Sequence, residues 1–154
     1  MPAPVSVRVD TLLYVEDNPA NLMLVEQLIA RRRDMRLLSA RDATRGIEIA
    51  RAVRPKVILM DINLPGISGV EALKILREDP VTAHIPVIAL SANALPRDIE
   101  KGLAAGFFRY LTKPIIVREL MNILTETLLS GEERARPSTV KPESGGPRSP
   151  GARR

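Results

Sequence analysis

The stretch 56-KVILMDINLPG-66 is the most informative segment of this chain for predicting its fold. Four apolar residues, 57-VILM-60, lead directly into Asp61, and a turn that contains proline and glycine follows. We predict a strand over residues 56–60, because continuous apolarity is typical of a strand that is covered on both faces of a parallel sheet. A carboxylate at the end of such a strand is costly to bury unless it is paired or bound to a metal. Asp61 is therefore the first candidate for a functional residue.

On either side of this strand, short apolar segments alternate with amphipathic ones. The other predicted strands cover residues 11–15, 35–40, 86–90 and 107–111. Helices are predicted after each strand, from Asn18 to about Arg32, from Asp42 through Ala50, and over residues 69–78, 98–105 and 117–129. Strict alternation of strands and helices predicts a (βα)5 chain that forms a doubly wound parallel sheet with helices on both faces.

Length and composition indicate a single folded domain. The chain has 154 residues, of which 45% are hydrophobic and 27% charged, and these are globular values. We expect a short N-terminal leader over residues 1–9, a folded domain over 10–129 and a disordered tail over 130–154. The tail is rich in proline, glycine, serine and charge, so it has little apolar surface to bury.

Composition also excludes several classes of function. The absence of cysteine excludes disulfides, thiolate zinc sites and cysteine nucleophiles, and it fits a cytoplasmic location. No apolar run approaches the roughly 20 residues of a membrane helix, so we expect no membrane span. Six basic and three acidic residues lie in residues 130–154, so that segment carries three of the five net positive charges. We therefore expect no nucleic-acid binding by the folded part.

Polar side chains lie at the predicted carboxyl ends of four strands: Glu16 and Asp17, Asp61, Ser91, and Lys113. Ligands of open parallel sheets bind outside this edge, and the first and third strands would lie about 4.8 Å apart if they are neighbours. Three acids that close raise one another's pKa unless a cation is present, and Mg²⁺ suits a few carboxylates plus a phosphoryl ligand. The pattern therefore predicts a phosphoryl-transfer site with Asp61 as the nucleophile.

Four segments of the chain resemble the receiver domain of two-component response regulators. They are 14-YVEDN-18, 59-LMDINLPGISG-69, 88-IALSANA-94 and 110-YLTKPI-115. Their spacing agrees with the family as well, with 44 positions from Asp17 to Asp61, 30 from Asp61 to Ser91 and 22 from Ser91 to Lys113. The resemblance covers about residues 10–129, and it implies a flavodoxin-like fold with strand order 2-1-3-4-5.

The resemblance implies a role for each residue of the site. Asp61 would accept a phosphoryl group from a phosphohistidine of a histidine kinase or a histidine phosphotransfer protein. Mg²⁺, for which Mn²⁺ can substitute, would be bound by Glu16, Asp17, Asp61 and the backbone carbonyl of Asn63. Lys113 would pair first with Asp61 and then with the phosphoryl oxygens.

The resemblance also implies a conformational switch. Ser91 would turn inward to the phosphoryl group, Tyr110 would move as Ser91 moves, and the surface of the fourth helix, fifth strand and fifth helix would change for a downstream protein partner. Pro114 would follow a cis peptide bond that aims the preceding lysine. Asn63 and Asn93 are expected to tune hydrolysis of the phosphoryl group. The domain would be a monomer or a phosphorylation-dependent dimer.

Alternatives stay open at this point. A haloacid-dehalogenase-type phosphatase also uses a nucleophilic aspartate after a strand, but it needs a second aspartate two residues on, where this chain has Asn63. A phosphate-independent receiver would act only as a binding module. We expect a signalling domain that slowly loses its own phosphoryl group and turns over no separate substrate. The sequence leaves open whether the chain is a stand-alone regulator or the receiver of a hybrid kinase.

Overall fold

Five strands and five helices alternate along residues 8–135, which are the residues that the computed structural model describes. The strands are β1 (Asp10–Val15), β2 (Met35–Ala40), β3 (Val57–Asp61), β4 (Val87–Ser91) and β5 (Arg109–Thr112). The helices are α1 (Pro19–Ala30), α2 (Ala43–Val53), α3 (Gly69–Glu78), α4 (Pro96–Ala105) and α5 (Val117–Ala135). This order of elements confirms the predicted (βα)5 pattern.

The described strands form one sheet in the order β2-β1-β3-β4-β5, and every pairing is parallel. This is the predicted doubly wound, flavodoxin-like topology. The direction of winding reverses between β1 and β3, which are neighbours, with Leu12 opposite Val57 and Val15 opposite Met60. Because Val15 pairs with the residue before Asp61, the residues that follow β1 lie beside the end of β3. The crevice at this edge is where ligands of such sheets bind.

Side chains on the two faces of the sheet form two separate cores. Along β1, Leu13 and Val15 pack into the core beneath α2 and α3, whereas Leu12 and Tyr14 pack into the core beneath α1 and α5. The alternation follows from the two-residue period of a strand. Burial on both faces explains why the central strands are apolar along their whole length.

The loop that carries the first two acids is short, because α1 is capped immediately after it. The Asn18 side chain accepts hydrogen bonds from the backbone N–H groups of Ala20 and Asn21, and Pro19 occupies the first turn. This is the predicted start of the helix, and it agrees with the preference for asparagine at the cap and for proline just after it. Because of this cap, α1 begins only two residues beyond Asp17.

Several strand boundaries differ from their predicted positions, mostly by one residue, and two of the differences are informative. Asp61 is the last residue of β3 rather than the residue that follows it, and β5 begins at Arg109 rather than at Phe107. Phe107 is buried, but its backbone N–H donates to the carbonyl of Gly102 and so closes the end of α4. The predicted start of β5 was wrong because apolarity alone does not separate a strand from a buried helix terminus.

Helix α5 continues to Ala135, beyond the predicted end at residue 129. Residues 130–135, which were predicted to begin the disordered tail, are therefore helical. The segment 132-EERA-135 consists of residues with high helix propensity, so it can prolong a helix that is already anchored by packing. The predicted helix ends at residue 129 because the serine and glycine at positions 130 and 131 are typical of a linker.

Residues 1–7 of the predicted leader and residues 136–154 of the predicted tail lie outside the described residues. Within residues 8–135, none of the helices combines the length and the apolar character that crossing a membrane requires.

Candidate functional site

Three carboxylates meet at the carboxyl edge of the sheet, where β1 and β3 end. Glu16 and Asp17 follow β1 directly, and Asp61 is the last residue of β3. One carboxylate oxygen from each of the three lies within 4.8 Å of the others. Glu16 is fully buried and Asp61 is 2% exposed, whereas Asp17 is open to solvent. The structure thus brings the three predicted acids together, with two enclosed by protein and one at the surface.

Lys113 supplies a positive charge within the acidic cluster. Its Nζ donates a hydrogen bond to Oδ2 of Asp61 at 2.9 Å and lies 3.6 Å from Oε1 of Glu16. Burial lowers the pKa of the Lys113 amine, but the hydrogen bond to Asp61 and the charges of both carboxylates outweigh this effect and raise the pKa above its usual value. The amine is therefore charged at neutral pH. The peptide bond between Lys113 and Pro114 is cis, as the resemblance implied.

Each oxygen of Asp61 has its own hydrogen-bond donor. Oδ1 accepts from the backbone N–H of Asn63 at 2.9 Å, and Oδ2 accepts from the amine of Lys113. A carboxylate offers about four lone-pair positions, so both oxygens keep room for a further ligand. The two donors hold the plane of the carboxylate at the edge of the sheet. The predicted role of the Asn63 carbonyl as a metal ligand stays a prediction.

Glu16 is held by donors on both of its oxygens. Oε1 accepts from the hydroxyl of Tyr14 at 2.8 Å and from Nδ2 of Asn21 at 3.5 Å. Oε2 accepts from the backbone N–H of Asn18 at 3.2 Å. Tyr14 and Asn21 were not among the predicted site residues. Tyr14 precedes Glu16 by two positions at the end of a strand, and that period of two is the sequence signal that places both side chains on one face.

The electrostatics of the acidic cluster favour a bound cation. Burial raises the pKa of Glu16, and the neighbouring Asp61 raises it further. With Asp17 included, three carboxylates carry more negative charge than the amine of Lys113 offsets. Mg²⁺ takes oxygen ligands and keeps several water molecules beside one or two carboxylates. The acids of this chain therefore fit a Mg²⁺ site.

Ser91 and Tyr110, the predicted switch residues, are joined through the main chain of Asn93. Ser91 is buried and follows Leu90, which pairs with Asp61 in the sheet. Its Oγ accepts a hydrogen bond from the N–H of Asn93 at 3.0 Å, and the hydroxyl of Tyr110 donates to the Asn93 carbonyl at 3.2 Å. One peptide segment therefore contacts both side chains, a connection that the sequence does not reveal.

The ring of Tyr110 packs against α4 at Gly102, which the sequence did not single out. A Cβ atom at this position would lie 2.7 Å and 2.8 Å from Cδ2 and Cε2 of the ring. We predict that Gly102→Ala displaces Tyr110 and breaks its hydrogen bond to Asn93, because such short contacts force one side to move. Near-ultraviolet circular dichroism measures the displacement, since the chain has two tyrosines and no tryptophan.

Leu103→Ala is the matched control for this substitution, because Leu103 is the next residue of α4 and is 44% exposed. Its spectrum should equal that of the wild type. A Gly102→Ala spectrum that also equals the wild type would show that the ring of Tyr110 does not depend on the missing side chain.

Comparisons with known proteins define the class of this protein. Residues 12–125 match the family model described as the response regulator receiver domain. The chain therefore belongs to the receiver family of two-component response regulators, which act as phosphoacceptor signalling domains. It is similar to the polar-differentiation response regulator DivK of Brucella anthropi, with 36% identity over 118 residues that cover 77% of this chain and 95% of DivK. DivK of Brucella ovis is 36% identical over the same length.

Solved structures show the same similarity. The receiver domain of the sensor histidine kinase PA1611 from Pseudomonas aeruginosa is 35% identical, with a TM-score of 0.69 over 78% of this chain and 98% of that one. That structure has a magnesium ion coordinated in its active site cleft. A response regulator from Desulfuromonas acetoxidans is 25% identical, with a TM-score of 0.70 over 78% of this chain and 97% of that one. Receivers of regulators and of a histidine kinase both match.

Proposed function

We propose that Asp61 accepts a phosphoryl group from the phosphohistidine of a histidine kinase or a histidine phosphotransfer protein. The supporting observation is that the Lys113 amine lies 2.9 Å from Oδ2 of Asp61, at the edge where two further acids meet. An oxygen of Asp61 forms a bond to phosphorus as the phosphorus–nitrogen bond of the donor breaks. The donor histidine keeps the electron pair of the broken bond. The product is an acyl phosphate on Asp61.

The metal ligands proposed for this reaction are Glu16, Asp17, Asp61 and the backbone carbonyl of Asn63. Bound Mg²⁺ would neutralise the charge of the phosphoryl oxygens and orient them for in-line transfer. Mn²⁺ is proposed to substitute, because it also takes oxygen ligands in an octahedral arrangement. As the phosphoryl group arrives, the Lys113 amine passes its hydrogen bond from Asp61 to a phosphoryl oxygen and stabilises the developing charge.

Phosphorylation is proposed to act on the protein surface through Ser91 and Tyr110. The new group adds roughly −1.5 to −2 charges and three acceptor oxygens. The Ser91 hydroxyl rotates to donate a hydrogen bond to one of these oxygens. This rotation displaces the main chain of Asn93, which is hydrogen-bonded to both Ser91 and Tyr110. The surface formed by α4, β5 and α5 then changes, and a downstream protein partner binds the changed form.

The proposed function is signalling and not turnover of a separate substrate. A phosphatase of the haloacid-dehalogenase type needs a general acid two residues after its nucleophile, and the amide of Asn63 cannot supply that proton. The Lys113 amine lies 2.9 Å from Oδ2 of Asp61, where it can stabilise a phosphoryl group, and this position argues against a phosphate-independent binding module. We place this activity in a receiver domain over residues 10–129, in the cytoplasm, without nucleic-acid binding. The domain works as a monomer or as a phosphorylation-dependent dimer.

Intact-mass spectrometry after incubation with acetyl phosphate tests the proposal. With Mg²⁺ present, we expect the protein to gain the mass of one phosphoryl group. Removal of the metal with EDTA should prevent the gain, and added Mn²⁺ should restore it, because the oxygen ligands accept either ion. Absence of any gain in the presence of Mg²⁺ would contradict the proposal. Steady release of phosphate from unrelated phosphomonoesters would favour the phosphatase instead.

A further inference from the structure

Tyr14 is buried beneath the acidic cluster, and the proposed reaction gives it no role. Its side chain is 0% exposed and packs in the core beneath α1 and α5. A buried tyrosine hydroxyl normally finds a hydrogen-bond partner, because an unpaired one would remain desolvated without compensation. Here the partner is Oε1 of Glu16 at 2.8 Å, and within residues 8–135 this is the only hydrogen bond that the hydroxyl makes.

The geometry of the Tyr14–Glu16 contact indicates that the tyrosine hydroxyl orients the carboxylate. The ring of Tyr14 is fully buried within the core beneath α1 and α5, and close packing there restricts where its hydroxyl can lie. The Glu16 side chain has three rotatable bonds, so its carboxylate depends on its donors for orientation. The other two donors near Oε1 are more distant than Tyr14, with Asn21 at 3.5 Å and Lys113 at 3.6 Å. Tyr14 therefore makes the shortest contact to this carboxylate.

We infer that Tyr14 is a positioning residue for the metal site, because its hydroxyl holds the Glu16 carboxylate in the orientation that a bound cation requires. The inference rests on the proposed function, in which Glu16 is a metal ligand. Hydrogen bonds from outer residues to a ligand side chain fix its orientation, and their removal typically lowers metal affinity by about 10–100-fold. A short bond to a charged acceptor belongs to the stronger class of such contacts.

The same contact makes metal binding observable without a label. The chain contains two tyrosines and no tryptophan, so its near-ultraviolet absorption reports mainly on Tyr14 and Tyr110. The absorption band of a tyrosine depends on the strength of the hydrogen bond that its hydroxyl donates. A cation that draws electron density from Glu16 weakens the acceptor of Tyr14. Tyr110 donates to a backbone carbonyl and should respond less.

Titration of the full chain with Mg²⁺ alone tests the inference, by calorimetry for affinity and by ultraviolet difference spectroscopy for the tyrosine signal. Tyr14→Phe removes only the hydroxyl, and Tyr110→Phe is the matched control for loss of a tyrosine. We expect Tyr14→Phe to weaken Mg²⁺ binding by about 10-fold or more and to abolish the metal-dependent difference spectrum. Tyr110→Phe should retain the wild-type affinity and the difference spectrum.

Each other outcome contradicts a defined part of the proposal. Equal Mg²⁺ affinity in Tyr14→Phe and the wild type, or a difference spectrum that persists in Tyr14→Phe, would overturn the inference and leave the metal site intact. No binding of Mg²⁺ by the wild type would overturn the proposed function itself. If Tyr14→Phe does not fold, Tyr110→Phe still decides, because a metal-dependent spectrum that this variant abolishes would exclude Tyr14 as its source.

Discussion

Replacing Asp61 with asparagine is expected to abolish the incorporation of a phosphoryl group from acetyl phosphate. The amide keeps the size of the side chain and can still accept from the Asn63 N–H, but it lacks the nucleophilic carboxylate oxygen. The variant should fold, because the change removes one of two buried like charges. Intact-mass spectrometry in the presence of Mg²⁺ measures the loss directly.

Asp42→Asn is the matched control, since it makes the same chemical change at the exposed cap of α2. Asparagine is as good a cap as aspartate, so the control should fold normally and incorporate one phosphoryl group per protein molecule, as the wild type does. A phosphorylated Asp61→Asn protein would show that another acid is the acceptor. Asp17, the exposed member of the acidic cluster, would then be the first candidate.

Replacing Lys113 with methionine is expected to slow phosphoryl incorporation by about 10²–10³-fold, the usual effect of removing one preorganised donor from a transition state. Methionine keeps an unbranched chain of similar length but has no charge. The acceptor carboxylate of Asp61 stays in place, so the reaction should be slow and not absent. A time course of intact mass at fixed acetyl phosphate gives the rate.

Lys56→Met is the control for this change, because Lys56 is exposed and lies before β3, at the opposite edge of the sheet from Asp61. Its rate should equal that of the wild type. Lys113→Arg tests geometry in addition to charge, since a planar guanidinium does not replace a compact ammonium at a close contact. A wild-type rate in Lys113→Met would show that the amine has no role in transfer. Far-ultraviolet circular dichroism checks that each variant is folded.

The order of elements was predictable because it depends on local patterns. Apolar runs of strand length and the cap residues Asn18 and Asp42 each act within a few neighbouring positions, and both caps are observed. The errors occurred where two elements compete for the same residues. Phe107 is as apolar as a strand residue, but its N–H completes α4. The predicted end of α5 is too early because a serine and a glycine, at positions 130 and 131, resemble a linker.

The residues that meet at the carboxyl edge of the sheet were also predictable, but the contacts among them were not. Asp61, Ser91 and Lys113 each lie at or just after the carboxyl end of a strand, and parallel strands end at one edge, so their convergence follows from topology. The contact between Tyr14 and Glu16, and the one between Gly102 and Tyr110, depend on side-chain positions within the packed core. The period of two places Tyr14 and Glu16 on one face, but no spacing in the sequence shows that the members of either pair touch.

The parallel α/β fold, the receiver family and the set of acids and lysine at one edge of the sheet can all be inferred from the sequence alone. These features follow from residue type and from the repeat of apolar side chains every two residues in strands and every 3.6 residues in helices, which are local properties of the chain. The folded chain is needed to see that Glu16 is buried while Asp17 is exposed, and that Tyr14 and Lys113 both contact Glu16. Distances between distant segments depend on strand register and side-chain packing, which are set by many weak contacts acting together.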